Sequence, residues 1–282
     1  MQNTIVIFSH NRPTYLELLL ENLNDIFKNE NYSKFFSSID IFYSNHLSLP
    51  HKKKKKISYL EVNYIISPNT SSSQKINQSF MKYYNDKKVE DCFLLYLDDD
   101  CILNKKRFIE FFRDFKDLSR NNTIYSIYNS FSHKILKFNK RNFLYEKKTA
   151  GMLGILVPKK IVIDYINLTN ISKVNPNKCA DSIFLEFYVK HYGNLILTNP
   201  ISIIQHIGFI GENNNLSKKD IEFSSSFINE FIANENYIEL LINLFTKRNN
   251  KINLNLFAKM ISSLKYKFIK QRVFGRDFNI FK

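Results

Sequence analysis

Cysteine is scarce. Cys92, Cys101 and Cys179 are the only three in 282 residues, an odd number without metal-ligand spacing. That argues against a disulfide framework and against a zinc site. Long apolar runs are missing too: no stretch approaches the roughly 20 residues that cross a bilayer. The opening residues read as a strand, Thr4 to Ser9, where an export signal would place a basic region and then an apolar one. A cytoplasmic location is the expectation. Tryptophan is absent while Lys, Asn, Ile and Phe abound, a bias of nucleotide composition that carries little mechanism. Acid is in deficit, with 26 Asp and Glu facing 41 Lys and Arg, a net charge of +15. Such a surplus favours an anionic partner, be it nucleic acid, anionic lipid or a phosphorylated substrate, and does not choose among them.

With 44% hydrophobic residues, the chain can bury one large core, or one core with a helical appendage. Thr4 to Phe8 is a β-branched and aromatic run that reads as a buried strand, followed by the loop Ser9 to Pro13. Pro13 opens a helix at a position where its missing N–H is harmless. Leu16, Leu19, Leu20, Leu23, Ile26 and Phe27 then repeat at helical spacing. Ile39 to Tyr43 and Leu60 to Ile66 supply two further strands, and the serines at 71 to 73 cap a helix with Ile76, Phe80, Tyr83 and Tyr84 on one face. A fourth strand, Cys92 to Leu97, precedes a helix marked by Phe108, Phe111, Phe112 and Phe115. Short apolar strands alternating with amphipathic helices predict an α/β fold with a largely parallel sheet covered on both faces. From Ile124 to Leu156 the pattern is strand-like. Helices are expected at about 159 to 166 and 180 to 191, and a last strand from Ile201 to Gln205. Beyond Leu216 the residues read as helices.

The fourth strand runs into Asp98-Asp99-Asp100. Open α/β sheets bind ligands at the carboxyl ends of their strands, and three adjacent carboxylates repel one another unless a cation neutralises them. A hard divalent ion such as Mn2+ or Mg2+ takes oxygen ligands, often one or two carboxylates plus substrate phosphates. In a D-x-D spacing the first and third carboxylates share a direction, which favours Asp98 and Asp100 as ligands. The competing reading is an acidic cap on the helix from Asn104 to Phe115, although three aspartates exceed what capping needs.

The stretches CFLLYLDDDCIL and TIVIFSHNRPTYLELLLENL, at their mutual spacing, resemble the nucleotide-binding half of GT-A fold glycosyltransferases, most like glycosyltransferase family 2 and its relatives. The resemblance covers roughly residues 3 to 210. It implies a Rossmann-like, mostly parallel sheet flanked by helices, with a catalytic domain over 1–215 and a helical C-terminal extension over 216–282. Within the domain, a nucleotide-sugar-binding half covers about 1–120 and an acceptor-binding half about 121–215. The implied donor is a nucleotide-diphosphate sugar, a UDP-sugar being expected, with the metal and ribose-diphosphate held by the aspartates. Asp98 and Asp99 then also count as substrate contacts.

Other residues follow from the same resemblance. QHIG at Gln205 to Gly208 is similar to a motif whose histidine completes the metal site, which assigns His206 as a ligand; imidazole suits Mn2+. In Cys179-Ala180-Asp181-Ser182, Asp181 matches the acidic residue that deprotonates the acceptor in inverting enzymes, and an N-cap is the bland alternative. The family's preceding Glu is here Ala180, and its following Arg has become Glu186-Phe187. Ser9, Asn11 and Arg12 occupy the first nucleotide-contact loop, where the Arg12 fork would pair with the diphosphate. Asn77 stands where relatives line the donor pocket. The usual Asp after the second strand is replaced by Ser44-Asn45-His46, so base recognition is not legible here.

Lys52 to Lys56 is most simply a solvated loop. Near the C-terminus Phe257, Met260, Ile261, Leu264 and Phe268 form a stripe among Lys259, Lys265, Lys267, Lys270 and Arg272. That pattern suits a helix on an anionic bilayer, equally a helix docked on the domain with its basic side in water. The expected activity is therefore metal-dependent, inverting transfer of a hexosyl or N-acetylhexosaminyl group to a bacterial surface glycan, such as a lipooligosaccharide, lipid-linked oligosaccharide or capsule chain. Peripheral attachment to the inner face of the membrane goes with it. Competing readings are a nucleotidyltransferase, disfavoured by the glycine-free loop Ser9 to Pro13, and a basic nucleic-acid- or membrane-binding protein without catalysis. Against nucleic acid, the 26 Phe and 16 Tyr fall mainly at core periods, and a carboxylate triplet repels phosphate.

Overall fold

The computed structural model describes residues 3–10, 12–28, 34–44, 55–67, 71–86, 92–118, 122–129, 133–140, 143–169 and 179–206. The expected extension over 216–282, with its basic stripe, lies outside them, as do Asn11 and most of the Lys52 to Lys56 run. Among the described residues no helix is long and apolar enough to cross a membrane.

The first half alternates strand and helix as the sequence predicts. β1 (Asn3–Ser9) leads to α1 (Pro13–Phe27), β2 (Phe36–Tyr43), the short β3 (Lys56–Ile57) and β4 (Leu60–Ile66). Then come α2 (Ser72–Asn85), β5 (Phe93–Asp98), β6 (Cys101–Leu103) and α3 (Lys105–Leu118). The second half carries β7 (Tyr125–Ser126), a hairpin of β8 (Ile135–Asn139) and β9 (Leu144–Lys147), and β10 (Ile155–Pro158). It ends with α4 (Lys159–Leu168), α5 (Ala180–Tyr192), β11 (Ile196–Thr198) and β12 (Ile204–His206).

Ten strands form one sheet in the order β3-β4-β2-β1-β5-β10-β7-β11-β9-β8. The β4-β2-β1-β5 portion is parallel, and β10 joins it antiparallel to both β5 and β7. The expected α/β fold is thus present, parallel through the first half and mixed in the second. Alternate residues of each central strand feed opposite cores. Ile5 and Ile7 of β1 join Leu95 and Leu97 of β5 beneath α1 and α3, whereas Val6, Phe8, Leu94 and Tyr96 lie under α2, α4 and α5. Burial on both faces is why these strands read as unbroken apolar runs. Phe108, Phe112 and Phe115 interlock with Phe36 and Phe93, for example Phe36 and Phe112 with ring centroids 5.0 Å apart.

Two local signals land where expected: Pro13 is the first residue of α1, and Ser71 caps α2 in a reciprocal capping box with Gln74. Others shift. A strand, β6, separates the aspartates from α3, and the cap of that helix is Asn104, whose Oδ1 accepts from Arg107 N at 3.0 Å. The aspartates are therefore no helix cap. β6 pairs with β12 in a small two-stranded ribbon, held to α1 by the buried Asn22 side chain, which bonds both Leu103 N (2.9 Å) and Leu103 O (3.2 Å). The last strand begins at Ile204, later than the sequence suggests, and β11 at Ile196–Thr198 is too short to show a period. Gly154, at φ +69°, donates to Tyr96 O at 2.8 Å and locks the start of β10 against the end of β5.

Candidate active site

The carboxyl ends of β1 and β5 lie side by side, Phe8 paired with Asp98, and Asp99 N donates to Phe8 O at 3.0 Å. This pairing sets the loop Ser9 to Pro13 against the aspartates. Asp99 and Asp100 are fully buried, and Asp98 is half-buried at the strand end. His10 N donates to Asp99 Oδ2 at 2.9 Å, and the Ser9 hydroxyl also bonds the Asp99 carboxylate. Arg12 reaches over both acids, with one guanidinium nitrogen 2.5 Å from Asp99 Oδ1 and the other paired with Asp100 Oδ2.

His206 arrives from the far end of the domain. The β6–β12 ribbon pairs it with Cys101, and its Nε2 lies 2.9 Å from Asp100 Oδ2. The structure therefore joins Arg12, Asp99, Asp100 and His206 in one ionic cluster. Asp100 Oδ1 is buried and has no hydrogen-bond partner among the described residues.

Electrostatics divides the three acids. Burial raises Asp98 to about 7, reinforced by Asp100 and opposed by Arg12 and His206. Asp99 rises to about 6, again through burial, with Arg12 pulling against it. At Asp100 the burial cost is outweighed by the charge and hydrogen bond of His206 and by Arg12, which bring it down to about 2. His206 shifts the other way: burial disfavours its cation, but Asp100 prevails and raises it. Burial likewise opposes the Arg12 cation and is overcome by Asp99, Asp100 and Asp98. Asp100 is thus the most firmly ionised of the three acids.

Beneath the loop sits a residue that the sequence reading passed over. Lys75, wholly buried on α2, donates from Nζ to Ser9 O at 2.8 Å and meets His10 Nδ1 at 3.0 Å. An ammonium can only donate, so Nδ1 accepts and the imidazole proton resides on Nε2, which faces Ser72 Oγ at 3.4 Å. Burial, then Lys75 and Arg12, lower His10 to about 4 and keep it neutral. A signal for Lys75 existed: Lys75, Ser79 and Tyr83 recur every fourth residue and share the buried face of α2. Nothing local distinguished His10.

Asp181 lies in the first turn of α5, behind the N-cap Cys179, so it is not itself the cap. Its Oδ1 accepts from Ser182 N at 2.7 Å, which turns the carboxylate onto its own helix in place of the ionic cluster. The start of α5 nonetheless abuts the start of α2, since Ala180 N donates to Ser73 Oγ at 3.1 Å, next to the Ser72 that faces His10. Asn77 is half-buried on α2, and its Oδ1 is buried with no hydrogen-bond partner among the described residues. All three cysteines are free. Among the described residues no three His, Cys, Asp or Glu side chains are grouped so as to hold a metal by themselves.

No family model matches the chain, and no curated protein matches it. Among solved structures, Staphylococcus aureus TarS 1–349 aligns at 12% identity over 86% of this chain and 66% of its own, with a TM-score of 0.46. The same protein in complex with UDP-GlcNAc aligns at 12% identity over 91% of this chain and 69% of its own, with a TM-score of 0.49. The 2-C-methyl-D-erythritol 4-phosphate cytidylyltransferase of Francisella tularensis aligns at 12% identity over 70% of this chain and 90% of its own, with a TM-score of 0.40. The chain thus spans about two thirds of the TarS structure.

Proposed function

We propose that the chain is a metal-dependent glycosyltransferase that takes a nucleotide-diphosphate sugar, a UDP-sugar first of all, as donor. One observation supports the reading: a carboxylate run at the carboxyl edge of β5, bridged by Arg12 and met by His206, at the end of the strands where open α/β sheets bind ligands. The unpartnered Asp100 Oδ1 and the adjacent His206 fit a hard or borderline cation that completes its shell with substrate oxygens, a mode that needs only one or two protein ligands. Asp100 and His206 would hold Mn2+ or Mg2+, with Asp98 beside them, and the ion would supply charge neutralisation on the departing nucleoside diphosphate.

The chain's own residues complete the proposal. Arg12 would share its fork between the acids and the diphosphate oxygens. Lys75, through Ser9 O and His10, would keep that loop in register with Asp99. Asn77 Oδ1, lacking a partner, would accept from the donor. Asp181 would take the proton of the acceptor hydroxyl as its oxygen bonds the anomeric carbon and the sugar–diphosphate bond breaks on the opposite face, giving inversion. The acceptor is proposed to be a surface glycan in assembly, carrying a lipid anchor or a growing chain.

The test is a thermal-shift and calorimetric panel of nucleotide sugars, UDP-GlcNAc included, with and without Mn2+, on wild type and Asp100→Ala. Metal-dependent stabilisation by one donor, lost in the variant, supports the reading and names the donor. Indifference of the wild type to every nucleotide refutes it.

A further inference from the structure

The β8–β9 hairpin at the end of the sheet exposes apolar side chains in a basic setting. Phe143 is 70% exposed, Leu136 44% and Phe138 42%, and the Phe138 ring lies 6.4 Å from Phe143 and 5.6 Å from Tyr145, centroid to centroid. Ile201, 50% exposed, lines a groove with Phe143 against Phe111 of α3. Single exposed apolar residues are ordinary on protein surfaces, but here Phe138 and Phe143 adjoin through their rings and Phe143 and Ile201 share one groove. Phe143 also has φ +54°, in the left-handed region where Gly or Asn is usual and a bulky side chain is strained. Lys134, Lys137, Lys140 and Lys148, in or beside the same hairpin, are exposed.

Strand directions fix where the hairpin points. β10 is antiparallel to both β5 and β7, and β11 is parallel to β7, so β7 and β11 run with β5. β9 opposes β11, which places the turn before Leu144 at the same sheet edge as Asp98. We propose that this hairpin docks the protein on an anionic lipid bilayer. Phe138, Phe143 and Ile201 enter the boundary between headgroups and acyl chains, while Lys134, Lys137 and Lys140 face the lipid phosphates. Each lysine near an anionic leaflet strengthens binding roughly fivefold, and aromatic side chains favour that boundary. Among the acids nearby, Glu110 and Asp114 lie on the α3 side of the groove, and Glu146, bonded to Asn139, stands opposite Lys137 across the β8–β9 ladder and offsets part of its charge. Pairing of β8 with a second copy is disfavoured by those same lysines, a common guard against edge-to-edge association. The proposal is independent of the transfer chemistry, because binding is read without substrate.

The experiment is co-sedimentation of the full chain with vesicles of phosphatidylcholine alone and of phosphatidylcholine mixed with phosphatidylglycerol. Wild type is compared with Phe138→Ser/Phe143→Ser, with Lys134→Glu/Lys137→Glu/Lys140→Glu, and with Phe143→Asn. Wild type should bind the mixed vesicles only, and the two multiple variants should bind at least about tenfold more weakly; for the lysine variant two lost charges alone exceed that factor. Asn tolerates the left-handed backbone, so Phe143→Asn should lose affinity while its melting temperature holds or rises, which separates docking from folding. Absence of vesicle binding by wild type overturns the proposal. So does binding that survives either multiple variant, which would move the attachment elsewhere, for example to the basic stripe around Phe257 to Arg272. Vesicle-independent dimerisation abolished by the phenylalanine substitutions overturns it in favour of a second copy.

Discussion

Arg12 and Asp100, 88 positions apart in the chain, form an ion pair in which the acid is almost wholly buried and the guanidinium also spans Asp99. The pair does for the folded chain what a bound cation would do for the loaded site: it keeps adjacent carboxylates from repelling one another. Breaking a buried pair by removing one partner costs more than the pair itself contributes, because the remaining charge is stranded. Arg12→Ala should therefore lose about 3 kcal/mol of stability, read by chemical denaturation. If Asp100 and His206 hold a divalent ion, Mn2+ should raise the melting temperature of Arg12→Ala more than that of wild type. Equal shifts would count against those two residues as ligands.

Lys75 makes a different prediction, since it touches the loop and not the acids. Lys75→Met removes the hydrogen bonds that Lys75 gives to Ser9 O and His10 Nδ1, and losing such a buried donor costs roughly 1 to 3 kcal/mol. The ammonium is also one of the charges that hold His10 down near 4. In the variant the His10 pKa, followed by NMR titration, should move upward toward the ordinary imidazole range. A titration unchanged from wild type would mean that burial alone sets it.

How much of this site was legible from sequence depends on how local each signal is. The aspartates and Arg12 announce themselves by position, after an apolar strand and before a Pro-initiated helix. The meeting of His206 with Asp100 rests on β6 and β12, strands of three residues each, too short for any period to reveal. A motif resemblance supplied His206; hydropathy did not. Lys75 was readable from the four-residue recurrence on α2, but a lysine on an apolar face is easily passed over because burial of an ammonium is costly. For Asp181 the alternative to a base was an N-cap, because carboxylates favour helix starts; the chain enters α5 two residues earlier, at Cys179, with Ala180 N donating to Ser73.

Gly154 is held by geometry at the junction of the two halves. A Cβ there would sit 2.6 Å from Ile204 Cδ1 and 3.1 Å from Tyr128 Cβ, on a backbone at φ +69°. Backbone strain and overpacking act together, so Gly154→Ala should cost roughly 3 kcal/mol. Ile204 belongs to the strand that carries His206. The same variant should therefore weaken any Mn2+ stabilisation in proportion to its displacement of β12, a readout that a purely global loss of stability would leave unchanged.

Lys147 gives a pH dependence away from the site. Its side chain is buried, donates to Asn129 Oδ1 at 2.8 Å, and burial lowers its pKa to about 8 from an unfolded value of about 10.4. Below pH 8 the lysine is charged in both states, and the folded protein bears the full cost of burying it. Between pH 8 and the unfolded value the folded state has already released the proton, so the cost fades and stability rises with pH. Relative to Lys147→Met, wild type should gain stability steadily across that window and hold a constant difference below it. A difference independent of pH would mean that the buried amine is adequately solvated by its partners.

Asp181 offers the sharpest separation of binding from chemistry. The carboxylate contacts Ser182 of its own helix and lies outside the Arg12, Asp100 and His206 cluster, so the proposed donor site does not need its charge. Asp181→Asn keeps the shape and the acceptor for Ser182 N while removing the proposed base. Donor affinity should stay within about twofold of wild type, whereas the initial rate of transfer should fall by at least about a hundredfold, the usual worth of a positioned general base. Full activity in Asp181→Asn with normal donor binding would defeat the assignment. Loss of donor affinity and rate together would instead place Asp181 in the donor pocket, beside the start of α2 where Ser73 already meets Ala180.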